Sequence, residues 1–191
     1  MDHRLRKPSA IVVALVLTLS AGVASAEEFF ARFSGFQEIG ALSGPSGAIL
    51  SDGKATLHLD LDNKTSTITY TLTYSDLSAP VTQAHIHFGR RHVAGGIVVF
   101  LCSNLGNGPA GTPACPASGG TVTGSINAAS IIAVLTQNVK AGDFPGLVEI
   151  IESHSAYGNI HTTSFPAGEI RGQIHRGNGQ DHGHDHDDHK K

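Results

Sequence analysis

Tryptophan is absent from this 191-residue chain, methionine occurs once, cysteine twice, and aromatic residues make up only 6%. With so few flat side chains there is little surface on which nucleic-acid bases could stack. Basic residues are scarce too: 13 Lys and Arg stand against 16 Asp and Glu, for a formal net charge of −3. No Lys/Arg stripe crosses the sequence, so no nucleic acid is expected as a partner. No Ser-His-Asp arrangement, phosphate-binding loop or carboxylate pair can be argued from spacing. No apolar run reaches the roughly 20 residues that a membrane-spanning helix takes.

The one notable apolar stretch, residues 11–19, is short. It follows Arg4, Arg6 and Lys7 and leads to Ala24-Ser25-Ala26. A positive start, a brief apolar centre and a small-residue A-x-A site make a secretory signal peptide over residues 1–26. An uncleaved anchor is the alternative. Cleavage would leave residues 27–191, a length suited to one domain, and would remove Met1. The loss of Arg4, Arg6, Lys7 and Asp2 would move the formal charge from −3 to −5. The expected location is periplasmic or secreted, with no stable membrane insertion after signal cleavage.

What the chain does contain is β pattern. Ala55, Leu57, Leu59 and Leu61 alternate with polar residues, as do Ile68, Tyr70, Leu72 and Tyr74, and Asp62-Asn63-Lys64 lies between the two runs. Two alternating segments about a short polar turn read as a hairpin. Residues 29–33 open the domain as a strand, and further strands are expected at 83–88, 96–101, 120–126, 147–153, 156–162 and 168–174. Residues 131–139 are the one plausible helix. Many short strands separated by turns indicate an all-β fold, an antiparallel β-sandwich of Greek-key, immunoglobulin-like or superoxide-dismutase-like kind. The domain is expected over residues 27–176. Cys102 and Cys115 are an isolated pair close in sequence, which in an oxidising compartment favours a disulfide closing the Gly/Pro/Asn-rich loop 103–114. Two free thiols or two soft metal ligands are the alternatives.

Chemistry, if any, rests on the 12 histidines. In Ala84-His85-Ile86-His87-Phe88-Gly89 the two histidines are two apart, so an extended backbone points both to one face and Ala84, Ile86 and Phe88 to the other. A third imidazole must come from elsewhere. Tyr157-Gly158-Asn159-Ile160-His161-Thr162 repeats the Ile-His pair and places His161 on a face with Asn159 and Tyr157. His85, His87 and His161 would make a three-nitrogen site suited to copper, with zinc second, and a fourth position left open. Structural histidines that bond backbone carbonyls are the alternative. Glu169 or Asp76 would orient a ring. His92 and His154 are peripheral candidates, and His58 is expected to face solvent. His175 shares a parity with Glu169, Arg171 and Gln173, and Glu169 and Arg171 could pair. From residue 177 the chain has no apolar side chain and is expected to be disordered without metal. There His182, His184, His186 and His189, interleaved with Asp181, Asp185, Asp187 and Asp188, form a flexible metal-capturing tail.

Several motifs together resemble the CHRD domain, named after chordin. Phe33-Ser34-Gly35-Phe36-Gln37-Glu38 is similar to its opening L-x-G-x-x-E motif. The 84–89 segment, Gly120-Thr121-Val122-Thr123-Gly124, and Asn159-Ile160-His161-Thr162 through Phe165-Pro166-Ala167-Gly168-Glu169-Ile170-Arg171-Gly172-Gln173-Ile174 follow in order, over about residues 28–175. The resemblance implies a β-sandwich module, found in bacterial exported proteins and, as repeats, in an animal extracellular antagonist of growth-factor signalling. The H-x-H strand is also similar to that of copper–zinc superoxide dismutase, whose bridging histidine and zinc loop have no evident counterpart here. The function expected is that of an exported metal-binding protein. A non-catalytic adhesion or scaffold module with structural histidines, and a dismutase-like copper enzyme, are the alternatives. The partner expected is a metal ion; the sequence names no protein partner.

Overall fold

Alternation along the chain becomes two stacked antiparallel sheets in the computed structural model, which describes residues 26–39 and 47–177. One sheet has five strands. It begins with β1 (Glu27–Phe33), β2 (Lys54–Asp62) and β3 (Thr67–Ser75), hydrogen-bonded as neighbours, and adds β6 (Gly120–Ile126) beside β3 and the two-residue β9 (His175–Arg176) beside β1. The other has four, in the order β5 (Gly96–Ser103), β4 (Val81–Phe88), β7 (Ala156–Thr162) and β8 (Ile170–Gln173). The expected sandwich is present. The expected leader, and the tail beyond Gly177, lie outside the described residues.

The β2–β3 hairpin shows how the pattern works. Leu57 pairs with Leu72, Leu59 with Tyr70 and Leu61 with Ile68, and all six are buried. The Asp62 carboxylate accepts from Lys64 N at 2.8 Å and so shapes the turn. Each buried Leu or Ile contributes roughly 1.5–3 kcal/mol by leaving water. Opposite them, Ala84, Ile86, Ile160 and Ile170 face inward from the second sheet and complete the core. Phe33 wedges into this core against Gly158: a Cβ there would lie 2.2 Å from Phe33 Cζ. β1 ends by bonding β8, with Ser34 N donating to Arg171 O at 3.1 Å and Arg171 N to Ser34 O at 3.2 Å. The disulfide between Cys102 and Cys115 is formed, so neither sulfur is a thiol or a free metal ligand.

Two element assignments differ from the sequence expectation. Residues 147–153 are not a strand; they belong to helix α1 (Phe144–Glu152). Asp143 caps its start by accepting from Gly146 N, and Pro145 occupies the first turn, where its missing N–H costs nothing. Phe144, Leu147, Ile150 and Ile151 are its buried residues, a helical spacing hidden by β-branched residues. Residues 131–139 are in turn not an α-helix. Ile132 N donates to Val98 O along the edge of β5, Leu135–Gln137 is a single 3-10 turn, and Asn138 takes the left-handed backbone at φ 60°. The expected strand 168–174 is also divided: β8 lies in one sheet, and Ile174 carries the chain across to β9 in the other. Among the described residues no helix is long and apolar enough to cross a membrane.

Candidate metal centre

β4 and β7 are neighbours, so their outward side chains share a surface. The register sets His85 opposite Asn159, His87 opposite Tyr157, and Gln83 opposite His161. His161 is therefore diagonal to His85, two residues along. On the other side of β4 the pairing to β5 slips twice, between Ala84 and His85 and between Ile86 and His87. Such bulges bend a strand and re-aim its side chains. The three imidazoles converge, each offering one ring nitrogen within 4.8 Å of the other two. Ring centroids are 4.9 Å apart for His85–His161, 5.5 Å for His85–His87 and 6.4 Å for His87–His161.

Two of the rings are held by backbone carbonyls. His87 Nδ1 lies 3.0 Å from Gly95 O, and His161 Nδ1 lies 2.9 Å from Pro166 O. A carbonyl can only accept, so both Nδ1 atoms carry hydrogen, and both Nε2 atoms present lone pairs. His85 Nδ1 stands 3.2 Å from His161 Nε2; with neutral rings it donates to that lone pair. The Nε2 atoms of His85 and His87 are buried without a hydrogen-bond partner. Two nitrogens on one ion, each bonded at about 2.0–2.1 Å in tetrahedral arrangement, lie roughly 3.3 Å apart. The His85–His161 spacing fits this with His85 Nδ1, freed of its proton, as the ligand atom, and His87 Nε2 is an unpaired buried acceptor beside them. The donor set is three imidazoles, matched to copper or zinc.

The rings lie almost out of water, with exposures of 0% for His85, 8% for His87 and 7% for His161. Burial is the main cause that pushes His85 down to about 2, with the neighbouring His161 and His87 adding to it. Burial likewise pushes His87 down to about 4 against the raising influence of the Gly95 carbonyl, with His161 and Arg171 lowering it further. His161 is lowered by burial, partly countered by the Pro166 carbonyl. All three rings are therefore neutral near pH 7, the form that binds metal.

Around them stands a layer of aromatic and polar side chains. Phe100 meets His85 edge-on at 4.4 Å. Tyr157 stacks flat on His87, 4.7 Å away and 5° from parallel, and the Arg171 guanidinium lies 3.3 Å over the other face of Tyr157. Loop 89–95 is strapped down over this face. Arg171 Nη2 donates to Arg90 O and Val93 O at 2.9 and 3.0 Å, and Gln173 Nε2 to Gly89 O at 3.0 Å. Asn159 Nδ2 donates to the Glu38 carboxylate. Gly168 makes room for that pair, since a Cβ there would fall 2.4 Å from Asn159 Nδ2. Outward parity marked Tyr157, Asn159 and Arg171; the carbonyls of Gly95 and Pro166 carry no signal in sequence, because every residue has one.

Other candidates fall elsewhere. Glu169 does not orient a ring, nor does it pair with Arg171. Its carboxylate accepts from Ser51 Oγ at 2.6 Å, Ser78 N at 2.8 Å, Ser78 Oγ at 2.9 Å and Thr162 Oγ1 at 2.7 Å. Burial alone would raise it, but these bonds outweigh burial and hold it below the usual carboxylate range. The Asp76 carboxylate accepts from Ser75 Oγ, away from the triad. His58 faces solvent, as do His92 and His154, and none belongs to the cluster of three. His182, His184, His186 and His189 lie outside the described residues.

No curated protein and no solved structure matches the chain. The CHRD domain matches residues 29–174, well over half the chain, a span that takes in every strand but β9 and the first two residues of β1, together with Glu38 and the three buried histidines. The chain belongs to the CHRD domain family.

Proposed function

We propose that this is an exported metal-binding protein that holds one copper ion, or zinc as second choice, through His85, His87 and His161. A single observation carries the reading: three neutral, buried imidazoles each offer a ring nitrogen within 4.8 Å of the other two, with His87 Nε2 left an unpartnered acceptor. Leaving that buried acceptor unpaired costs about 1–3 kcal/mol, and a bound ion would offset that cost. When bound, the ion would supply a positive charge that the chain itself does not place at this point. The residues present do the rest: the Gly95 and Pro166 carbonyls fix two ring orientations, and Tyr157 and Phe100 exclude water. Copper is preferred because imidazole sites bind Cu²⁺ more tightly than Zn²⁺. No thioether is at hand to favour Cu⁺, since Met1 is the sole methionine. The near-complete burial of the rings favours retention of an ion over turnover of a substrate. Export is supported by the Cys102–Cys115 disulfide, which suits an oxidising compartment, and by the leader pattern of residues 1–26. The histidines of 182–189 would gather metal outside the sandwich.

The test is equilibrium dialysis of the full chain with His182, His184, His186 and His189 all changed to Gln. About one equivalent of copper should remain bound, and His161→Gln should release it while the far-ultraviolet spectrum stays that of a β-sandwich. Should His161→Gln fail to fold, the copper signal of the first variant should still show hyperfine coupling to three imidazole nitrogens. If the tail-substituted chain retains neither copper nor zinc, the reading is wrong.

A further inference from the structure

β5 and β6 are outer strands of their two sheets and stand at the same edge of the sandwich. β5 is crossed twice along this edge: Val99 bridges to Ile131, and Ser103 N donates to Pro113 O at 2.9 Å. Between the crossings opens a cavity of about 310 Å³, within the roughly 300–1,000 Å³ of ordinary ligand pockets. Its floor is Tyr70, whose ring end lies over Gly124 of β6, where a Cβ would fall 2.5 Å from Tyr70 Oη. Tyr70 Oη donates to Leu101 O at 2.6 Å, so the floor ties one sheet to the other.

Both walls are held by bonds of their own. One is segment 109–113 of the disulfide-closed loop, where Thr112 N and Oγ1 donate to Pro109 O at 3.1 and 2.8 Å. The other is the turn 127–130: Asn127 Oδ1 accepts from Ala129 N at 2.9 Å, and Ser130 Oγ from Asn127 N at 3.3 Å. These bonds leave hydrogens to give, on the Asn127 amide nitrogen and the Ser130 hydroxyl. Thr123 and Ser125, exposed at the rim, add hydroxyls that both donate and accept. Phe100 supplies the apolar wall, its ring steadied by His85, edge-on at 4.4 Å.

That composition selects the ligand. No residue lining the cavity is charged, so a phosphate, carboxylate or ammonium group would lose its water without gaining a counter-charge. A wholly apolar molecule would strip water from Asn127 and Ser130 and return no hydrogen bond. What fits is an uncharged ring with one apolar face for Phe100 and hydroxyls around its edge for the Asn, Ser and Thr side chains. We propose that this cavity binds a neutral hexopyranose, either free or as the terminal unit of a glycan. Walls fixed in advance lower the ordering cost of holding it. The site does not depend on the triad reading, although Phe100 is common to both.

Backbone-amide spectra of the ¹⁵N-labelled full chain, titrated separately with glucose, galactose, mannose and N-acetylglucosamine, test this. At least one sugar should give saturable shifts at Phe100, Ala110, Gly111, Gly124 and Ser125, with a dissociation constant of about 1 mM or tighter. The 6-phosphate of that sugar should bind roughly tenfold or more weakly. Phe100→Leu should weaken binding several-fold. Because Phe100 also packs on His85, Ala129→Trp provides a second variant, at an exposed position of the rim. Its indole should occlude the cavity and abolish the shifts while the strand amides keep their positions. A tetrasaccharide that binds roughly tenfold more tightly than its monosaccharide marks a glycan end as the source, and equal affinity marks the free sugar. No saturable shift with any of the sugars, equal affinity for the 6-phosphate, or unchanged affinity in Ala129→Trp overturns the proposal.

Discussion

His85 Nδ1 and His161 Nε2 face each other across 3.2 Å from adjacent strands. Both rings are buried, so neither readily takes up the proton that would make the two repel. The contact joins one ring of the H-x-H strand to the histidine that β7 contributes.

Acid should unfold this protein early. Histidines ordinarily titrate near 6.5, whereas burial holds His87 at about 4 and His85 at about 2, and lowers His161. Below pH 6.5 the unfolded chain takes up protons that the native site refuses, so stability is full above 6.5 and falls as pH drops toward 4. Each such histidine contributes a slope of up to about 1.4 kcal/mol per pH unit. Urea midpoints of the metal-free protein should decline steadily from pH 7 to pH 5, and a flat profile across that interval would contradict neutral buried rings.

Metal should stabilise the fold, since the ligand set exists only when β4 and β7 are paired. Free copper at one hundred times the dissociation constant adds about 2.7 kcal/mol. The melting temperature of the tail-substituted chain should rise by several degrees with copper and return on addition of a chelator. His87→Gln should abolish the rise.

Gly158→Ala should destabilise more than a methyl group usually does. The added Cβ would lie 2.2 Å from Phe33 Cζ, and overpacking of this kind costs about 1–3 kcal/mol. Calorimetry should show the loss, and Phe33→Leu in the same chain should recover part of it. If Gly158→Ala alone melts like the parent, the Phe33 wedge is not as tight as described.

Replacing both Cys102 and Cys115 by Ala should cost about 3 kcal/mol, the loop-closure contribution for a bridge spanning 13 residues. The loss should appear as a lower denaturant midpoint, with an m-value that rises because the unfolded chain is no longer cross-linked. The triad should remain assembled, because Asn104 still ties the loop down through Val81 O at 2.9 Å and Cys115 O at 3.0 Å, the second a backbone atom that alanine keeps.

Local pattern determined a good deal here. Alternation at 55–61 and 68–74 specified the hairpin because one face of each strand must leave water. The two-residue spacing of His85 and His87 specified a shared face because strand side chains alternate. The same reasoning failed at 147–153, where Ile150 and Ile151 suggested a strand and Asp143 with Pro145 had already set a helix. Tertiary structure decided the rest. Only the β4–β7 pairing, with its register of His85 on Asn159, brings His161 within reach. Only the loops over that sheet bury the rings and so hold them neutral, while carbonyls at Gly95 and Pro166, which no sequence distinguishes, orient two of them. Side-chain direction follows from the local backbone, whereas proximity, desolvation and ring orientation depend on which distant segments the core draws together.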